Sequence, residues 1–376
     1  MIDQKKFVEC LQKEGVEFVS GVPDTLLNDF CLYIEANWDK NRHVIAANEG
    51  NAVALAAGYY LSTGKVPIVY MQNSGIGNAV NPLVSLAHRD TYGIPMILLI
   101  GWRGEPGKKD HAQHAKQGEL TPVLLDAMDI PYRVLSDNLE ESLKNAKWAI
   151  ETTKATNNPV ALISGKGVLE KGEKENFHNR DTHKLSREEA IQIIVDCMDD
   201  KTVFVATTGR ASRELYAIRE INGTGHMRDF LNVGAMGHAS SIATGIALAN
   251  KNRPVVCLDG DSAAIMHLGA FTTTGKMKAD NFFHIVLNNG VHESVGGQES
   301  AGYLANLTEI AKNSGYNTID KAVNSKDEII KAISQLMSNV GPWFLDIHIR
   351  QGIRSDLPPL KFLHTELKEK LMNYLV

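Results

Sequence analysis

The chain has 376 residues, 43% hydrophobic and 22% charged, the proportions of a soluble globular protein long enough for two domains. A formal net charge of -5 without a long basic run sets nucleic acid aside as a main partner, and no apolar run reaches bilayer length, which sets a membrane aside too. Cys10, Cys31, Cys197 and Cys257 are scattered, with no CxxC and no neighbouring His cluster, and read as thiols of a reducing, cytoplasmic setting.

The opening MIDQKKFVECLQKEG patterns as an amphipathic helix and lacks the apolar core of a signal peptide. Strand-like runs then alternate with helical ones. The first half offers EFVSGV, HVIAAN, PIVYMQ, PMILLIG, PYRVL and PVALISG, with helical stretches such as EGNAVALAAGYYLSTG and NLEESLKNAKWAIETT between them. Residues 166–185 are polar, charged and without apolar periodicity, and read as a linker. Ser186 with Glu189 three positions on forms a capping box that opens the second half. Alternation resumes with TVFVATTG, MRDFLNVG, PVVCLDG, FFHIVLNNG, NTIDKAV and WFLDIHIR. The expectation is an α/β protein of two doubly wound parallel-sheet domains, 1–165 and 186–376.

In such sheets ligands gather at the carboxyl ends of strands. Four second-half strands end in ATTGRAS, NVGAMGHASS, LDGDSAA and LNNG. Thr207, Thr208 and Gly209, and likewise Gly260, Asp261 and Ser262, offer backbone N–H groups and short hydroxyls at helix starts, which suits a diphosphate. Asp261 and Asn288 supply hard oxygens of the kind Mg²⁺ takes. Each alone has a plainer reading, Asp as a helix N-cap and Asn-Asn-Gly as a turn.

Together, Gly260-Asp261-Ser262 and the later Asn288-Asn289 resemble the metal and diphosphate motif of thiamine-diphosphate enzymes. The resemblance implies thiamine diphosphate and Mg²⁺ as cofactors, with Asp261, Asn288 and the main-chain carbonyl of Gly290 as metal ligands. Ser262 departs from the pattern, where glycine is usual. ANEGNAVALAAG resembles the glutamate motif of that family and implies that Glu49 activates the cofactor by sharing a proton with its pyrimidine; by itself, a first-turn Glu that complements the helix dipole reads equally well. GAMGHASS, carried over by position, implies Met236 as the apolar support beneath the cofactor and Gly234 as the carbonyl that takes its amino group. The family order makes 1–165 the pyrimidine domain and 186–376 the diphosphate domain, with a linker too short for the third domain of many relatives. It also implies a homodimer or homotetramer with active sites between subunits.

GVPDTLLNDF, MQNSGIGNAVNPL, GWRGEPGKKDHAQHAKQG, GAMGHASSIA and NNGVHESVGGQES resemble the compact decarboxylases of that family acting on 3-phosphonopyruvate and, more distantly, on 3-sulfopyruvate. That implies a small 2-oxo acid with an anionic head group as substrate, and CO2 and phosphonoacetaldehyde as products. The alternatives are sulfopyruvate decarboxylation and a non-catalytic thiamine-diphosphate binder. Arg103, Lys108, Lys109, His111, His114 and Lys116 crowd one glycine-rich loop over 102–118, the charge a phosphonate dianion calls for. Arg103, Lys108 and Lys109, with Asn73 and Ser74 after PIVYMQ, form the candidate substrate-binding set. Asp24, His111, His114 and His292 are candidates for proton handling. Gly75-Ile76-Gly77 imitates a dinucleotide fingerprint, but Val80 stands where its third glycine belongs.

Overall fold

The computed structural model describes residues 1–169, 183–361 and 363–376, so most of the expected linker, 166–185, lies outside the described residues. The chain forms two compact units, one on each side of that segment.

The first unit is built on β1 (Val19–Gly21), β2 (His43–Ile45), β3 (Ile68–Gln72), β4 (Ile97–Gly101), β5 (Tyr132–Leu135) and β6 (Val160–Ser164), in the order β2-β1-β3-β4-β6-β5. The second uses β7 (Val203–Ala206), β8 (Asp229–Leu231), β9 (Val255–Gly260), β10 (Phe282–Asn288), β11 (Asn317–Thr318) and β12 (Trp343–His348), ordered β8-β7-β9-β10-β12-β11 from one edge. Every pairing is parallel. The two sheets therefore share one topology, and each strand-like run of the sequence supplies one strand. The inner strands are largely apolar because helices cover both faces, and buried polar groups such as Asp259 and His284 are the exceptions.

In each unit the chain leaves its first strand toward one edge and returns on the other side. The topological switch point thus falls between β1 and β3, and between β7 and β9. That places the turns after β1, β3, β7 and β9 around the crevices where open α/β sheets bind ligands.

Local signals set the helix ends. Asn48 caps the helix Glu49–Thr63, accepting the Asn51 N–H at 3.0 Å, and Gly64 closes it at φ 68°. The capping box at Ser186 forms in both directions, with Glu189 N–H to Ser186 Oγ at 3.2 Å and Ser186 N–H to Glu189 Oε2 at 2.8 Å.

The basic segment departs from expectation. It is a loop only as far as His111; from Ala112 it is the start of the helix Ala112–Ala127, so His114 and Lys116 stand on helical turns. Ala, Gln and Lys favour helix, and Gly118 is there for close approach rather than for a loop: a Cβ at 118 would collide with the Gly104 carbonyl. The Trp102 indole N–H fastens the same place, donating to the Gly118 carbonyl at 2.9 Å.

Arg219, on the helix Arg210–Asn222, forks onto Asp229 of β8 through two bonds of 3.0 and 2.9 Å, both side chains buried. Removing one member of such a pair strands the other without a partner. Arg219→Ala is expected to lower the unfolding free energy by about 3–5 kcal/mol, measured by urea denaturation.

Candidate active site

In the second unit, β9 carries Asp259 and ends at Gly260, and Asp261 opens the short helix Asp261–Met266. Asp259 is answered inside the protein: its Oδ2 lies 3.3 Å from His284 Nε2, and its Oδ1 accepts the Gly260 N–H at 3.0 Å. Asp261 is 3% exposed, and burial pushes its pKa up to about 6 against donors from Ser300 and the N–H groups of the helix start. A carboxylate so desolvated is suited to a cation.

Asn288, fully buried at the end of β10, accepts the Gly290 N–H on Oδ1 at 3.1 Å and donates from Nδ2 to the Gly302 carbonyl at 2.9 Å. Gly290 holds φ 69°, and a Cβ there would collide with the Tyr303 ring, so both backbone and space require glycine. A Cβ built on Gly302 would sit 2.5 Å from Asp261 Oδ2 and 2.6 Å from Asn288 Oδ1. The two oxygens therefore lie close to each other, on either side of Gly302. With the Gly290 carbonyl they form a set of hard ligands that fits Mg²⁺.

Buried polar atoms without a partner lie just after three strands of this sheet: Thr207 Oγ1 after β7, Asn232 Nδ2 after β8 and Ser262 Oγ after β9. Leaving such atoms unpaired costs about 1–3 kcal/mol each, and hydroxyls and amides grouped at a switch point fit a diphosphate. The Ser212 hydroxyl braces the turn, lying 2.8 Å from the Thr207 carbonyl and 3.0 Å from that of Asn232. Thr208 is half-buried and Gly209 takes φ 99° at the start of the following helix. Gly234 donates to Asn232 Oδ1 at 3.2 Å, and Met236 follows, half-buried, after Ala235 at φ 48°, a conformation that alanine rarely holds. His292 is half-buried, and desolvation holds its pKa down at about 4.

In the first unit Glu49 is 5% exposed at the N-terminus of its helix. Its side chain lies flush on Gly75, where a Cβ would collide with it, and its Oε2 accepts from Asn78 Nδ2 at 2.7 Å. Gly75 thus makes room for a carboxyl group. Asp24, after β1, is fully buried; its Oδ2 accepts the Leu26 N–H at 3.0 Å and its Oδ1 has no partner. Desolvation pushes its pKa up to about 6, opposed by nearby N–H groups and Arg103.

The remaining sequence candidates in this unit are less free than their composition suggests. The Arg103 guanidinium forks onto Asp110 at 2.8 and 2.6 Å and reaches Thr25 Oγ1 at 3.1 Å. Asp110 also accepts the N–H groups of Gly104 and His111, each at 2.8 Å, and these bonds hold its carboxyl well below the usual range. Lys108 pairs with Glu105 at 2.9 Å, while Lys109 and Ser74 are exposed. Asn73 spends its amide on the Arg103 backbone, at 2.8 and 3.1 Å, and on Thr121 Oγ1 at 2.9 Å, so it brackets the loop. The His111 and His114 rings lie 6.4 Å apart; burial and Arg103 hold the His114 pKa down at about 4. Sequence reasoning missed Asn78, Asp110, Asn232 and Ser300; the one available signal was Asn78, a helical turn beyond Gly75.

Residues 4–129 match the family described as Thiamine pyrophosphate enzyme, N-terminal TPP binding domain, and residues 207–347 its C-terminal TPP binding domain. The chain is similar to a phosphonopyruvate decarboxylase of Streptomyces viridochromogenes, 32% identical over 94% of this chain and 89% of the relative. A phosphonopyruvate decarboxylase of Streptomyces hygroscopicus is 31% identical over 94% and 88%. A sulfopyruvate decarboxylase of Methanosarcina acetivorans is 27% identical over 93% and 92%.

A rise of the Asp24 pKa from 3.8 to about 6 penalises its ionised form in the fold by roughly 3 kcal/mol. The folded value lies above the unfolded one, so the penalty is absent below pH 3.8 and grows as pH rises through about 6. Asp24→Asn is expected to remove a decline in stability between pH 4 and 7 that the natural chain shows, read from urea unfolding at four pH values.

Proposed function

The chain belongs to the thiamine pyrophosphate enzymes, and on that premise we propose that it decarboxylates 3-phosphonopyruvate to phosphonoacetaldehyde and CO2, a step in making phosphonates such as 2-aminoethylphosphonate. The observation that carries this reading is the closeness of the Asp261 and Asn288 oxygens at the ends of neighbouring strands, together with the buried, partnerless polar atoms of Thr207, Asn232 and Ser262 after β7, β8 and β9.

Asp261, Asn288 and the Gly290 carbonyl hold Mg²⁺; Thr207, Thr208, Gly209, Gly260 and Ser262 receive the diphosphate. By the same resemblance Met236 would support the cofactor and the Gly234 carbonyl would accept from its amino group. When bound, thiamine diphosphate supplies the electron sink for the pair left as the carboxylate carbon departs as CO2. Glu49, fixed by Asn78 and seated on Gly75, is the carboxyl that would share a proton with the pyrimidine of the bound cofactor. Asp24, His114 and His292, each with a pKa shifted toward its neutral form, are placed by chemistry to exchange the proton that replaces CO2. Of the cations expected to meet the phosphonate, Lys109 is exposed with no internal ion pair among the described residues, whereas Arg103 must share its fork with Asp110.

The assembly is a homodimer or larger, the Glu49 region of one copy facing the metal region of another. Two helices support this: Glu49–Thr63 bears no charge beyond Glu49 and exposes Ala54, Leu55, Gly58 and Leu61, and Ala239–Ala249 bears none. No helix among the described residues is long and apolar enough to cross a membrane, and all four cysteines are free, which supports a cytoplasmic setting.

CO2 release from 3-phosphonopyruvate, dependent on thiamine diphosphate and Mg²⁺ and exceeding that from 3-sulfopyruvate and pyruvate, is the expected result. Glu49→Gln is expected to lower turnover by about a hundredfold or more while cofactor binding, followed by calorimetry, persists. Faster release from sulfopyruvate would reassign the substrate, and no release with cofactor bound would reject the activity.

A further inference from the structure

After Asn288 the chain does not leave the metal ligands. Gly296 and Gly297, at φ 139° and 86°, reverse its direction, and a bridge between Val291 and Glu299 draws the returning strand back over the turn. This brings Ser300 and Gly302 against all three residues assigned to the metal. The Ser300 hydroxyl donates to Asp261 Oδ2. The Ser300 N–H donates to the Gly290 carbonyl at 2.9 Å. The Gly302 carbonyl accepts from Asn288 Nδ2 at 2.9 Å. There is one bond for each ligand.

We propose that Ser300 is a positioning residue for the metal, and that the Ser300–Gly302 segment is the outer shell that aims Asp261, Asn288 and Gly290. The inference rests on the metal reading above and deepens it.

The polarity of each bond is what such a shell needs. An amide that gives up its N–H to Gly302 is held in one orientation, with Oδ1 close to Asp261 Oδ2. A carboxylate gripped at one oxygen by a hydroxyl loses rotational freedom about its terminal bond before any cation arrives. A carbonyl that accepts an N–H retains a second lone pair for a metal. Gly302 can come this close only because it lacks a side chain, since a Cβ would stand among the ligand oxygens. Partners behind metal ligands typically account for about 10–100-fold in affinity.

The test uses the full chain, stripped of metal, with Mg²⁺ titrated calorimetrically at saturating thiamine diphosphate. Ser300→Ala removes the hydroxyl but leaves the backbone bonds; it is expected to weaken Mg²⁺ binding by about 10–100-fold, while Ser300→Thr restores it. Melting of the metal-free proteins separates this from a folding defect. Should the alanine variant not fold, Ser300→Cys, of similar shape but a weak donor, carries the same expectation. Unchanged Mg²⁺ affinity in Ser300→Ala would overturn the proposal. Tighter binding would overturn it too, because the segment would then be a plug that the cation displaces. A natural chain that takes up no Mg²⁺ would overturn the metal reading itself, and this assignment with it.

Discussion

Asp261 is an acid at the end of a central strand, 3% exposed, where desolvation works against its charge. A buried carboxyl in that position is costly unless donors or a cation meet it, and the turns around it supply donors, among them the Ser300 hydroxyl. The strand order sets the location, because β9 lies beside the switch point and its carboxyl end opens on the crevice. Asn288 arrives from the neighbouring strand, and Gly290 turns its carbonyl by adopting a left-handed backbone. Ser300 returns from the far side of a double-glycine reversal. Behind Asp261, Asp259 with His284 fixes the backbone from which it projects.

The first unit handles charge differently. Its basic segment looks like an anion trap by composition, yet Arg103 and Asp110 satisfy each other, and Lys108 leans on Glu105. What this loop gains is shape: a single carboxylate gathers a guanidinium and the N–H groups at both of its ends, Gly104 and His111. Asn73 then ties the loop to the end of β3. The strongest cation of this loop therefore already has a partner, and the loop is preorganised by that pair.

The strands were legible because buried parallel strands leave unbroken apolar runs, and helix starts because capping chemistry is local. Glu49 stood out as the one acid of an otherwise uncharged helix. Asn232 and Ser300 carried no such mark. An asparagine after a strand and a serine in a glycine-rich loop are ordinary turn residues, and only the fold shows that one keeps an unpaired amide and the other touches Asp261. The boundary at His111 was misread because Gly118 has the look of a loop residue, whereas its cause is the backbone of Gly104 pressed against a helix. Asp110 was passed over because its consequence, neutralising Arg103, depends on side-chain directions that composition does not contain.

The repeated strand order has a consequence for how the protein is made. Each sheet draws all of its strands from one half of the chain, so no strand of the first must wait for residues still to be translated. As the polypeptide leaves the ribosome, β1 to β6 can close over their own apolar faces before β7 is synthesised. The parallel pairings, slow to form because their partners are distant in sequence, are thereby confined to half the length they would otherwise span. The nascent enzyme exposes one incomplete sheet at a time.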